Sequence, residues 1–277
     1  MMYLIIAVLC SVAVSVLLKI LRQKNIDIRQ TIVAGYPVAF LLTWVLLKPD
    51  VGAIHALDSA WAIIIALGVL LPAVFIILGR AIEAVGMVAT DASQRLSLII
   101  PIVAAFLLFG EVLTGTRILG LALGFLALGA LVYRPQHNDI TRQAKHTPLW
   151  LFGVWAGYGI IDILFKQVAK QGAAFPLTLL VSFGVAGVLL LIYLLATRVR
   201  WQKQALMTGL LLGALNMGNI YAYVRAHQVL HDSPSIVFTG MNVGVIAVAT
   251  LIGVGVFKEQ LNRINIIGLL LAVCCVG

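Results

Sequence analysis

The sequence predicts an all-α membrane protein of ten transmembrane helices, arranged as two inverted five-helix repeats. Three observations predict it. Hydrophobic residues make up 62% of the 277 and charged residues only 10%, with a mean hydropathy of +1.09, far from the composition of a soluble domain of this size. The apolar residues come in continuous runs of about 17 to 25, the length that crosses ~30 Å of hydrocarbon, and the charges gather between the runs. Backbone amides find no partners in hydrocarbon, so such runs are helices or barrel strands, and the lack of in/out alternation excludes a barrel.

The spans follow in order. The first, Met2 to Ile20, precedes its basic cluster and lacks a small-residue cleavage site, so it is expected to stay as a helix and not to be removed as a signal peptide. Thr31 to Leu47, Ala60 to Ala81, Met87 to Phe109 and Thr116 to Tyr133 complete a first five-helix repeat, residues 1–133. The polar, proline-flanked loop RPQHNDITRQAKHTP, residues 134–148, separates it from a second repeat, residues 149–277. That repeat holds Leu149 to Lys170, Phe175 to Thr197, Ala205 to Val229, Pro234 to Phe257 and Asn262 to Gly277.

Sliding the second half back by about 147 residues sets Lys166 (DILFK) on Lys19 (SVLLK) and Glu259 (FKEQL) on Glu111 (FGEVL). A three-residue adjustment also sets Arg225 (VRAHQVL) on Arg80 (GRAIEAV). Five spans is an odd number, so the halves enter the membrane in opposite senses, the layout that builds alternating access around a midplane site.

Orientation follows from counting Lys and Arg by side. The connections after the odd-numbered spans hold thirteen, from Lys19 to Arg263, against five on the other side (Lys48, Arg117, Lys166, Lys170 and Arg225). The positive-inside rule makes the first set cytoplasmic and both termini external. The net charge of +9 is thereby assigned to the membrane surface, and nucleic acid is set aside.

At the end of the fourth span of each half the sequence resembles the drug/metabolite transporter superfamily, in its EamA-type ten-helix branch. The resemblance rests on the five-plus-five layout and on Pro101, Gly110, Glu111, Leu113 and Gly120, which match the usual proline, Gly-Glu, leucine and glycine pattern. The second half keeps Glu259, Leu261 and Gly268 but has Ala249 in place of the proline and Lys258 in place of the glycine. The resemblance spans essentially the whole chain. It implies secondary transport without nucleotide hydrolysis, of amino acids or related metabolites, with export the commoner direction. Relatives of this type are usually described with both termini inside, against the charge count followed here. The chain also stops within the last span without the polar tail usual in that family, which leaves room for a truncated end.

Ionisable residues inside spans are the informative ones, since a charge near the bilayer centre costs at least about 2.5 kcal/mol and is tolerated mainly against a cavity or partner. Arg95 in TDASQRLSLIIP, with Gln94 beside it, is the first candidate for a substrate contact; its forked donors suit a carboxylate or phosphate. The competing reading pairs it with Asp91, one turn earlier. Asp162 and Lys166 lie four apart on one face, either as an ion pair that a substrate or proton opens or as a structural pair with Lys166 snorkelling. Asn216, Asn219 and Tyr223 recur at helical spacing in NMGNIYAYVRAH, and Asn242, Trp155 and Tyr158 are expected to line the same cavity. Interhelical bonding and ordinary aromatic packing are the alternatives. Lys19, Arg80 and Arg225 near helix ends are the remaining candidates for coupling or gating, against plain snorkelling. Gly120/Gly124, Gly153/Gly157, Gly209/Gly213 and Gly240/Gly244 predict close helix approach.

An enzyme is not expected: there is no GxxxxGK[ST], HExxH or GxSxG. Nor is a cofactor or metal, because Cys10, Cys274 and Cys275 show no CxxC or Cys/His spacing. The expected function is a secondary transporter of a small polar metabolite in a bacterial-type inner membrane, with a solute, membrane lipids and possible protons as partners, as a monomer or weak homodimer. An organic-anion or sugar-phosphate carrier, or a non-transport scaffold or receptor, are the alternatives.

Overall fold

The computed structural model describes residues 1–57, 61–101, 103–104, 115–132, 147–170, 175–230 and 234–276. Most of these residues are helical, with no strand among them. The helices are α1 (Met2–Gln23), α2 (Ile28–Leu47), α3 (Trp61–Val85), α4 (Met87–Leu96), α5 (Gly115–Val132), α6 (Thr147–Lys170), α7 (Phe175–Ala196), α8 (Lys203–Val229), α9 (Pro234–Gly255) and α10 (Arg263–Val276). A 3-10 helix, Val51–Leu57, lies between α2 and α3. Six of them, α1, α2, α3, α6, α7 and α8, are long and apolar enough to cross a membrane, the make-up of a multi-pass membrane protein.

The helix ends have local causes. Asp27 caps α2, its carboxylate accepting from the Arg29 amide at 2.9 Å and gripping the Arg29 guanidinium at 2.8 and 3.0 Å. Gly86, at φ +96°, separates α3 from α4, a conformation that side chains resist. The sequence predicts one unbroken span from Met87 to Phe109. The structure instead ends α4 at Leu96, with the Ser97 and Leu98 amides bonded three residues back to Gln94 and Arg95, and helix resumes at Ile99.

Burial is sorted as a bilayer requires. Large apolar side chains such as Ile5, Leu41, Val69, Leu126, Phe152, Ile192 and Leu251 face outward, while Ser11, Ser15, Asp91, Ser93, Ser182 and Asn242 are buried. Helices approach closest where side chains are smallest. Gly35 of α2 lies against Gly209 and Gly213 of α8, and a β-carbon on any of the three would strike the partner backbone. Gly153 and Gly157 of α6 receive Ile77 and Val74 of α3; Gly240 and Gly244 of α9 receive Leu4 and Val8 of α1. The principal packing pairs are α2 with α8, α5 with α10, α1 with α8, α3 with α6, α2 and α3 with α7, α1 with α9, α4 with α9 and α4 with α6.

The ends of α1 and α3, the start of α2 and the connection after α7 meet at one basic end of the bundle. Arg22, Arg29 and Arg80 line one cavity there, and the Gln30 side chain spans to the Arg200 carbonyl and the Gln202 amide.

Candidate functional site

A second cavity, of about 260 Å³, lies in the middle of the bundle. Gln94 and Arg95 of α4, Ser97 and Leu98 of the helix break, Tyr158 and Asp162 of α6, Asn219 and Tyr223 of α8, and Asn242 of α9 line it, with Phe175 and Met241. The break itself helps to build the wall. Backbone polar groups freed at membrane depth are tolerated only against protein or a cavity, and interrupted helices mark many solute sites.

Arg95 is held from α1. Its Nη2 donates to Ser11 Oγ at 2.6 Å, and one turn away Ser15 Oγ donates to Asp91 Oδ1, also at 2.6 Å. Two hydroxyls four residues apart on α1 thus match two charges four residues apart on α4. Asp91 and Arg95 form no ion pair within 4 Å of each other among the described residues, so the serines hold the charges that the sequence would pair directly. Arg95 Nε and Asn219 Oδ1 are buried and without a partner, each next to the cavity. Unmet polar atoms of this kind are costly in a dry interior and are relieved by a ligand or water. Asp162 supplies a carboxylate to the same space.

The sequence candidates divide. Arg95, Gln94, Tyr158, Asp162, Asn219, Tyr223 and Asn242 come together around the cavity. Trp155 does not: its indole Nε1 donates to the Leu96 carbonyl at 3.0 Å, taking up an acceptor released where α4 ends, and its ring packs between Phe125 and Phe152. Asn216 departs as well. It shares the helix and the face with Asn219 but lies about 4.5 Å nearer the start of α8, below the cavity, and lines a small apolar pocket with Tyr36, Phe183 and Gly213. Arg225 bonds Gln228 at 2.9 Å and lies over the Tyr3 ring, and Arg80 lies over Trp150. Glu111 and the Lys166 side chain lie outside the described residues, as do most of the 134–148 loop and the partner that Lys166 was expected to give Asp162.

Lys19 is placed most tellingly. Its ammonium pairs with Glu259 and lies 4.4 Å from the centre of the Phe257 ring. The same carboxylate accepts the amides of Met87 and Val88, at 2.6 and 3.1 Å, and so caps the first turn of α4. A side chain at Gly86 would run into Glu259, a second reason for glycine there. One carboxylate thereby joins α1, α4 and the end of α9. Trp150, near the start of α6, lies against Arg80 at the end of α3, which sets this junction and the start of α6 at one end of the bundle. Asp162 is twelve residues further along α6, about 18 Å, so the cavity reaches toward the opposite end.

Sequence reasoning missed Ser11, Ser15 and Ser97; it read Glu259 as a loop-capping or interface residue, without the helix, α4, that it caps. A pair of hydroxyls one turn apart in an otherwise apolar helix was the available signal for the first two.

No family model matches the chain. It is 47% identical over 278 residues to an uncharacterized protein of Haemophilus influenzae, an alignment covering 99% of this chain and 95% of the relative. The chain belongs to the same family as that Haemophilus influenzae protein.

Proposed function

We propose that this protein is a secondary carrier of a small polar metabolite, an amino acid or related zwitterion, working by alternating access in a bacterial inner membrane. The observation that carries the reading is the placing of Arg95 and Asp162, a cation and an anion, on the walls of one central cavity, together with the unpartnered side-chain oxygen of Asn219 from α8. A solute carboxylate is suited to Arg95, and a solute ammonium to Asp162 and Asn219 Oδ1. An organic anion or sugar phosphate would use Arg95 and leave Asp162 opposed, which is the second reading.

The proposed architecture is ten crossings in two inverted repeats, of the drug/metabolite transporter, EamA-type kind. Its support is the way the packing pairs interchange. Replacing each helix by the one five further on turns α2 with α8 into α7 with α3, α1 with α8 into α6 with α3, and α1 with α9 into α6 with α4; α5 with α10, α4 with α9 and α2 with α7 map onto themselves. A pseudo-two-fold axis in the membrane plane has that property. The basic end is the cytoplasmic one by the positive-inside rule, and the Lys19–Glu259 junction holds it closed while the cavity reaches the other way. Release at the cytoplasmic side requires that junction to part.

Thermal melting of the purified protein against amino acids, organic acids, sugar phosphates and nucleosides tests the reading. Stabilisation that rises with ligand concentration in one class, and vanishes in Arg95→Ala, is the expected result. Absence of any hit, or hits untouched by the substitution, would dismiss the carrier site. A reporter fused within residues 134–148 should be cytoplasmic; a periplasmic signal reverses the orientation.

A further inference from the structure

The cavity at the basic end, about 320 Å³, is separate from the central one and lies among the ends of α1, α2 and α3. Arg22, Arg29, Arg80, Asp27, Glu83 and Asn25 line it, three guanidiniums against two carboxylates. The carboxylates are unevenly spent. Asp27 is engaged by Arg29 through two short bonds and also caps α2. Glu83 reaches Arg22 at only 3.4 Å, and Arg22 Nε is buried without a partner. Arg80 forms no ion pair among the described residues and rests on the Trp150 ring.

Arg22 and Arg80 are therefore two like charges on one concave wall, short of a counter-charge. An anion presenting several oxygens in different directions meets forked donors better than a single carboxylate does. Trp150, beside Arg80, is of the residue type enriched at the headgroup layer, and basic pockets between helix ends are suited to phosphate-bearing headgroups. We propose that this cavity binds a phosphate group between Arg22 and Arg80, carried by an anionic phospholipid or as free phosphate. The proposal is independent of the carrier reading.

Native mass spectrometry of the detergent-purified full chain, after addition of phosphatidylglycerol or phosphatidylcholine, reads the lipid arm. Thermal melting in inorganic phosphate against chloride at matched ionic strength reads the free-phosphate arm. The wild type should retain phosphatidylglycerol over phosphatidylcholine, gain stability in phosphate, or both. Arg22→Gln and Arg80→Gln should each weaken the effect about tenfold, the loss of one charged hydrogen-bonding partner. Lys203→Gln, which removes a charge from the same end but outside the cavity, should leave it unchanged. Glu83→Gln, which frees Arg22, should strengthen it, and this variant keeps the test alive if an arginine variant folds poorly. A response in the lipid arm alone assigns the phosphate to a headgroup; one in the phosphate arm alone assigns it to a free ion. Equal retention of both lipids with no phosphate effect, or a wild-type response in both arginine variants, overturns the site.

Discussion

Lys19 and Glu259, 240 residues apart in the chain, form an ion pair at the basic end of the bundle, and the Glu259 carboxylate also caps α4 through the Met87 and Val88 amides. Both side chains are largely buried, 13% and 10% exposed, so the pair escapes most of the screening that weakens surface ion pairs. A Lys19→Met, Glu259→Gln double-mutant cycle, followed by denaturation in detergent, should give a coupling of about 1–3 kcal/mol. Glu259→Ala should cost a further ~1 kcal/mol by uncapping α4. Additive single effects would mean that the pair contributes nothing.

Arg95 and Asp162 should separate by solute charge. Arg95→Gln is expected to weaken zwitterions and anions alike, whereas Asp162→Asn should weaken zwitterions and spare anions. Binding measured by melting-temperature shifts checks both. Equal effects of Asp162→Asn on the two classes would show that no solute ammonium approaches it.

Trp155 should matter for folding and little for binding. Trp155→Phe keeps an aromatic ring, though a smaller one, and removes the donor to the Leu96 carbonyl, leaving an acceptor unmet at the helix break, with an expected loss of about 1–3 kcal/mol. Ligand affinity, measured on the folded fraction, should change less than twofold, by roughly 0.4 kcal/mol or less.

Gly213→Leu should destabilise by about 1–3 kcal/mol or more, because the added side chain meets the Gly35 backbone, which cannot swing aside as a side chain would. Gly184→Ala, which meets only the Phe40 ring at ordinary contact distance, serves as the comparison and should be close to neutral.

Asp27 predicts an acid limb in the stability profile. Burial alone would raise its carboxyl, but the Arg29 side-chain and backbone hydrogen bonds and the Arg29 charge outweigh burial and hold it below the usual value. A depressed folded value contributes stability that is whole above the unfolded value, about 3.9, and is lost as the pH falls through the lower folded one. Melting temperature between pH 5 and 2.5 should therefore fall less steeply in Asp27→Asn than in the wild type. Parallel profiles would remove Asp27 from the acid response.

The sequence by itself determined the all-helical membrane class, the order and approximate ends of the helices, and most of the cavity wall. These are one-dimensional properties: hydrocarbon forces backbone groups into helices, and it admits Arg95, Asp162 and the α8 amides only facing inward, so composition along the chain already sorts lipid side from interior. Only the tertiary structure decided which inward residues meet. It left Asn216 one step short of the cavity that Asn219 enters, gave Trp155 to the Leu96 carbonyl, broke the fourth span at Ser97, and set Ser11 and Ser15 against Arg95 and Asp91. Such pairings depend on the rotation of each helix about its axis and its height against its neighbours. Those are fixed by contacts such as Gly35 on Gly213, between segments distant in sequence, and the period of a single helix carries no record of them.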